Sequence, residues 1–222
     1  MELEWNPLGK PIPGSEAEFV RLFKLMRSLR TFQPELIDRA ALDRRWNAIQ
    51  ITPYETLQAP RVGADAAADQ WAMRRYRDWI NPTQTEMEFL REMQGFYVLQ
   101  LVPPCDGLPA YSNGGRGAAE IFSFRAQLLC DCEEIIGFAT LAQCYRSCLA
   151  PALESLGDDL RAMATQYADR KKVAQVGSVS SADFEVGGAA EKLRIVISAA
   201  KWCKYWSTRG HGLAAHWSSE LA

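Results

Sequence analysis

The chain has 222 residues, of which 48% are hydrophobic and 23% charged, with a formal net charge of −2. Such a composition excludes a largely disordered polypeptide, and the length is enough to bury a substantial core. The near-neutral, slightly acidic balance excludes a general nucleic-acid binder, which needs a basic face to neutralise phosphates.

No run of about 18 apolar residues is present, so no membrane span is expected. The opening Met-Glu-Leu-Glu-Trp-Asn-Pro has no basic segment followed by an apolar one. The expectation is therefore a cytoplasmic protein whose six cysteines are reduced thiols.

Residues 1–14 contain Pro7, Pro11, Pro13, Gly9 and Gly14 and read as an extended arm, with Trp5 and Leu8 available to pin it to the body. Ser15 and Glu18 have the spacing of a capping box. The helix after them places Phe19, Leu22, Phe23, Met26 and Leu29 on one face, and Arg21, Lys24, Arg27 and Arg30 on the other. A second helix is expected from Pro34, its buried side marked by Leu36, Ile37, Ala40, Ala41, Trp46 and Ile49. A third spans about 64–80. Asn81-Pro82 is read as the cap and first turn of a fourth, which runs through Met87, Leu90 and Met93 to Gly95.

The β-branched run 96–102 reads as an extended stretch or a helix continuation, with no partner strand evident. A stiff loop follows at Pro103-Pro104-Cys105-Asp106-Gly107, with a second turn at Asn113-Gly114-Gly115. From there the pattern predicts a long helix over about 118–149, apolar at Ile121, Phe124, Leu128, Cys132, Ile135, Ala139 and Ala142 and widened by Phe122, Leu129 and Ile136. Pro151 breaks that run. Helices over about 152–173 and 189–206 follow, separated by a Ser/Gly-rich loop at 177–188. Gly210 leads into a tail at 211–222. The expected fold is all-α, a single irregular multi-helix bundle around the long central helix, with one domain spanning 1–222.

Four features bear on chemistry. Cys105 and Asp106 sit in the stiff loop, and His211 is one of only two histidines; a Cys/His pair would need the imidazole to take the thiol proton. Against this, Asp106 can simply cap a turn and Cys105 can pack as a small apolar group. Tyr111, Asn113 and Arg116 lie in a glycine-rich entry to a helix, a setting that can hold an anion, but without a phosphate-loop or dinucleotide pattern. Asp131, Glu133 and Glu134 form an acidic cluster, read as a solvated face or a patch for a basic partner. Cys144 and Cys148 are four apart, yet no further pair supplies the remaining ligands for zinc, so no metal site is assigned. Finally, Lys201-Trp202-Cys203-Lys204-Tyr205-Trp206 is basic and aromatic, and the spacing of Trp202 and Trp206 favours a helix anchored to a core.

No complete catalytic constellation or cofactor pattern emerges, and no cofactor is expected. The reading is a non-catalytic cytosolic protein-binding module, of the toxin-immunity or antitoxin type, acting by surface complementarity on another protein such as a basic toxin. Its expected binding residues are Asp106, Tyr111, Asn113, Arg116, Asp131 and Glu134. The alternatives are a hydrolase or transferase with its site at the Cys105/Asp106 loop, and a helical domain that binds a small ligand.

Overall fold

In the computed structural model, which describes residues 2–29, 38–78, 84–98, 101–102, 123–172 and 188–218, the two ends of the chain pair with each other. Strand β1 (Glu2–Pro7) runs antiparallel to β4 (Leu213–Ser218), with Trp5 opposite Ala215. The alternation that drives this is short but clear: Leu3 and Trp5 point inward and are fully buried, as are Leu213 and Ala215 to within 2%. On its other edge β1 exchanges two hydrogen bonds with Phe124, Trp5 N to Phe124 O and Phe124 N to Trp5 O, both 2.9 Å. Leu213 makes a matching pair with Cys148 at 2.8 and 2.9 Å. Within the expected arm and tail, residues 2–7 and 213–218 are thus paired strands, with a further backbone partner on the other edge at Trp5 and at Leu213.

Trp5 is the centre of this arrangement. Its indole N–H donates to the carbonyl of Cys144 at 2.8 Å, and its ring lies 5.2 Å from Phe124 and 5.5 Å from Trp202. The polar edge is satisfied and the apolar body fully buried, which is how a large aromatic gives its full burial energy.

Around this sheet the chain is mostly helical. Short strands β2 (Lys10–Pro11) and β3 (Gln50–Ile51) pair antiparallel. Between them lie α1 (Glu16–Leu29) and α2 (Arg39–Ala48), joined by a stack of Phe19 on Trp46 at 4.5 Å. The Ser15/Glu18 capping box is not what Glu18 serves: its two oxygens accept from Arg45 Nε at 2.7 Å and Nη2 at 2.5 Å, tying α1 to α2. Residues 30–37, where Pro34 was expected to start the second helix, lie outside the described residues. The described start is capped by Asp38, whose carboxylate accepts from Ala41 N. Of the expected buried side, Trp46 and Ile49 are buried, whereas Ala40 and Ala41 are exposed.

Helix α3 (Pro53–Thr56) is a single turn with a complete Thr52/Glu55 capping box. Next come α4 (Ala66–Asp78) and α5 (Glu86–Glu92), which share a small separate core of Val62, Ala68, Ala72, Phe89 and Val98. Asn81-Pro82 falls outside the described residues; α5 is capped by Thr85, boxed with Glu88. Met87, expected on its apolar stripe, is 61% exposed, and Phe89 is buried instead. Of the expected 96–102 segment, residues 96–98 are extended, with Tyr97 bridged to Arg61 and Val98 N bonded to Pro60 O, while residues 99–100 lie outside the described residues.

The long central helix over 118–149 is not there. Residues 118–122 lie outside the described residues, and Phe124 is extended against β1. Ala126–Cys132 is a 3₁₀ segment, and only Glu133–Cys144 is α-helical, as α6. Even α6 is interrupted, because Gly137 sits at φ 69°, ψ 158°. Only glycine adopts that backbone without strain. Competing backbone partners explain the break: Phe124 and Cys148 use their amides on strands rather than on a helix. The central rods are instead α7 (Ala150–Lys171) and α8 (Ala189–Ser207). Leu153, Leu156, Leu160, Ala164 and Tyr167 of α7 face the core, and α8 contributes Leu193, Val196, Ala200, Trp202, Cys203 and Trp206. At their crossing Gly157 is required, since a Cβ there would stand 2.8 Å from Cys203 Cβ.

Replacing Trp5 with Ala removes the ring that joins the terminal sheet to α8. Denaturant unfolding is expected to show a loss of about 3–5 kcal/mol. A loss below about 1 kcal/mol would mean that the strand is an appendage to a core that stands without it.

Candidate functional site

Cys105, Asp106, Tyr111, Asn113 and Arg116 all lie outside the described residues. His211 lies at the heart of the molecule and is fully buried. Its Nδ1 is 2.8 Å from the carbonyl oxygen of Leu8, and its Nε2 is 2.8 Å from Thr56 Oγ1. A carbonyl can only accept, so Nδ1 carries the proton and donates; the neutral ring then accepts the Thr56 hydroxyl proton at Nε2. Trp206 meets the same ring edge-on at 5.3 Å. Burial lowers the His211 pKa from 6.5 to about 4. With both nitrogens engaged in holding β1's exit, α3 and β4's entry together, the ring has none left to take a thiol proton.

Four of the described cysteines, Cys132, Cys144, Cys148 and Cys203, are equally committed. Cys130, Cys132, Cys144, Cys148 and Cys203 are free thiols. Burial pushes Cys132 and Cys144 up to about 12 and Cys148 to about 11, and raises Cys203 well above its ordinary value. Such thiols stay protonated at neutral pH and are poor nucleophiles. Cys144 ends α6 while Cys148 bridges to Leu213 in extended backbone, so the pair does not share a helix face. Among the described residues no group of three or more His, Cys, Asp or Glu side chains is placed to hold a metal ion. Trp202 and Trp206 are wholly buried, which makes the basic-aromatic stretch a core anchor.

Two surface features remain. The first is the outer edge of the 3₁₀ segment and α6. Asp131, Glu133 and Glu134 are all exposed there. Glu134 accepts from Lys192 Nζ at 3.1 Å and from Tyr167 OH at 3.0 Å, and these bonds, Lys192 first, hold its carboxyl below the usual range. Asp131 and Glu133 form no ion pair with a described residue. Directly after Gly137, Phe138 is 75% exposed, the most exposed of the large apolar side chains described.

The second feature is a cleft of about 270 Å³ between α1, α2 and β4. Phe23, Met26, Leu42, Trp46 and Leu8 form its apolar lining. Its polar groups are Arg27, Arg39, Asp43, Ser147 and His216. Ser147 Oγ already accepts from Ala215 N at 3.0 Å, which fixes the hydroxyl and leaves its own proton to donate. None of these cleft residues was singled out from the sequence as a binding residue. Arg27, which the periodicity puts on the wet face of the first helix, is exposed and lines the cleft. The only local signal was its position four after Phe23, on the margin of the apolar stripe.

Among the described residues no helix is long and apolar enough to cross a membrane. Compared with known proteins, the chain matches no family model, no curated protein and no solved structure.

The engagement of His211 has a measurable consequence. Its folded pKa lies below its unfolded value, so its contribution to stability is complete above about pH 6.5. The contribution falls as the pH drops towards 4, where the unfolded chain takes up a proton that the folded ring refuses. The loss across that window is about 3 kcal/mol. His211→Gln is expected to be less stable at neutral pH and to lack this part of the pH dependence, as read by denaturant unfolding from pH 7 to 4. Parallel profiles for the two proteins would contradict the assignment.

Proposed function

We propose that this protein is a non-catalytic binding module that acts by surface complementarity on another protein, with the exposed edge around Phe138 as its contact face. The observation that carries the reading is a combination within one stretch of chain: a large aromatic side chain exposed directly after a glycine break, and two exposed carboxylates earlier in the same segment with no ion-pair partner among the described residues. Exposed aromatics flanked by charge are the usual anchors of protein interfaces, and carboxylates around an anchor select a basic counterpart. The raised thiols of Cys132, Cys144, Cys148 and Cys203 and the engagement of His211 at both ring nitrogens fit a protein that binds rather than reacts. An inhibitor of a basic toxin, of the immunity or antitoxin type, is the specific form of this reading. It keeps Asp131 and Glu134 in the binding role expected of them, with Glu133 added and Glu134 partly occupied by Lys192. Cytoplasmic location belongs to the same proposal.

The test is capture from a lysate of the source organism with three baits: wild type, Phe138→Ala, and the double variant Asp131→Lys, Glu133→Lys. All three substitutions are at exposed positions, so the melting temperature is expected to stay within a few degrees. A basic protein retained by the wild type is expected to be reduced about tenfold or more with either variant, and released as salt is raised. Equal recovery with all three baits, or no partner retained by the wild type, would contradict the proposal.

A further inference from the structure

The cleft between α1, α2 and β4 lies on other elements than the Phe138 edge, and its chemistry is different. We infer that it is a binding site for a small amphipathic carboxylate, an aryl or branched-chain acid whose apolar body lies against Trp46 and Phe23 while its carboxylate is held at the Arg27/Arg39 rim.

The argument starts from the walls. Trp46 is fixed from behind by its stack on Phe19, and Leu8, Phe23, Met26 and Leu42 are only partly buried around it. These residues form a preorganised apolar surface that the described residues leave incompletely covered. The volume of about 270 Å³ holds roughly nine water molecules at ~30 Å³ each. That suits a single substituted ring or a short branched chain, and lies at the small end of ligand sites.

The rim then selects the sign of charge. Arg27 and Arg39 approach from two different helices, and neither forms an ion pair with a described residue. Asp43 is the one carboxylate among the described residues that line the cleft, so the two guanidiniums outnumber it there. Planar guanidiniums match a carboxylate in two-point hydrogen bonding better than any other cation. Ser147, whose oxygen accepts from Ala215 N, keeps its own hydroxyl proton to donate. A purely apolar ligand would leave these donors without partners, and a simple inorganic anion would leave the aromatic wall wet. A molecule that carries both parts satisfies both surfaces.

The experiment uses the full chain and three probes: phenylacetate, its neutral isostere phenylacetamide, and acetate. Binding is followed through backbone and indole amide shifts in heteronuclear NMR, with the Trp46 indole as reporter. Phenylacetate is expected to bind with a dissociation constant below about 1 mM and to shift Trp46, and to bind at least about tenfold tighter than either of the others. Arg27→Gln and Arg39→Gln, both at exposed positions, are each expected to weaken phenylacetate about tenfold and to leave phenylacetamide unchanged. Equal affinity for the charged and neutral probes would overturn the inference. So would phenylacetate binding that is indifferent to both arginine substitutions, shifts centred away from Trp46, or no saturable binding at all.

Discussion

One buried indole holds the two ends of this chain to its helical core. Trp5 is hydrogen-bonded through its ring nitrogen to the end of α6, packed on Phe124 and on Trp202 of α8, and paired through its strand with β4. Each contact reaches a different part of the sequence, up to about 210 residues away in the case of Ala215. Long-range closure of this kind costs chain entropy that local helices do not, and it is offset only when the closing residues bury large apolar area with every polar group satisfied. Trp5 does both. His211 repeats the logic a few residues from the other terminus: a buried polar ring, bonded at both nitrogens, that joins Leu8 to Thr56.

The consequence for the surface is indirect. Because Phe124 and Cys148 are drawn into backbone pairing with the terminal strands, the chain between them cannot be one straight helix. It descends through a 3₁₀ segment, enters α6, and breaks at Gly137. Phe138, directly after that break, is exposed, as are Asp131 and Glu133 before it. Pairing of β4 with β1 likewise brings His216 and Ala214 up to α1 and α2, whose Phe19–Trp46 stack and Glu18–Arg45 pair fix the opposite wall of the cleft. Both candidate surfaces are by-products of the same closure.

Much of the helical content could be read from the sequence, because it rests on local periodicity. Leu153, Leu156, Leu160, Ala164 and Tyr167 recur at threes and fours, and so do Leu193, Val196 and Ala200; those residues are the core of the helices they announced. The strands were hidden by their punctuation. Leu3 and Trp5 alternate with Glu4 and Asn6 as a half-buried strand should, but Pro7, Gly9, Pro11 and Pro13 follow so closely that the arm reads as irregular. The apolar stretch 118–149 misled for the opposite reason. A dense apolar run satisfies helical spacing whatever its backbone does, and nothing local reports that Phe124 will bond to a residue near the N-terminus. The cleft was illegible on principle, since Leu8, Arg27, Trp46, Ser147 and His216 share no motif and meet only through the terminal sheet. The acidic residues Asp131 and Glu133 are legible as a charged cluster, but the exposure of Phe138 is not, because it follows a glycine whose non-helical dihedral angles have no local signal.

Amide hydrogen exchange, resolved residue by residue, bears most directly on the claim that the terminal sheet is part of the core. The amides of β1 and β4 that donate within the sheet, together with that of Phe124, are expected to exchange as slowly as those in the middle of α7 and α8, through global unfolding alone. Exchange of these amides orders of magnitude faster than the helices would show that the ends open independently, and would contradict the account.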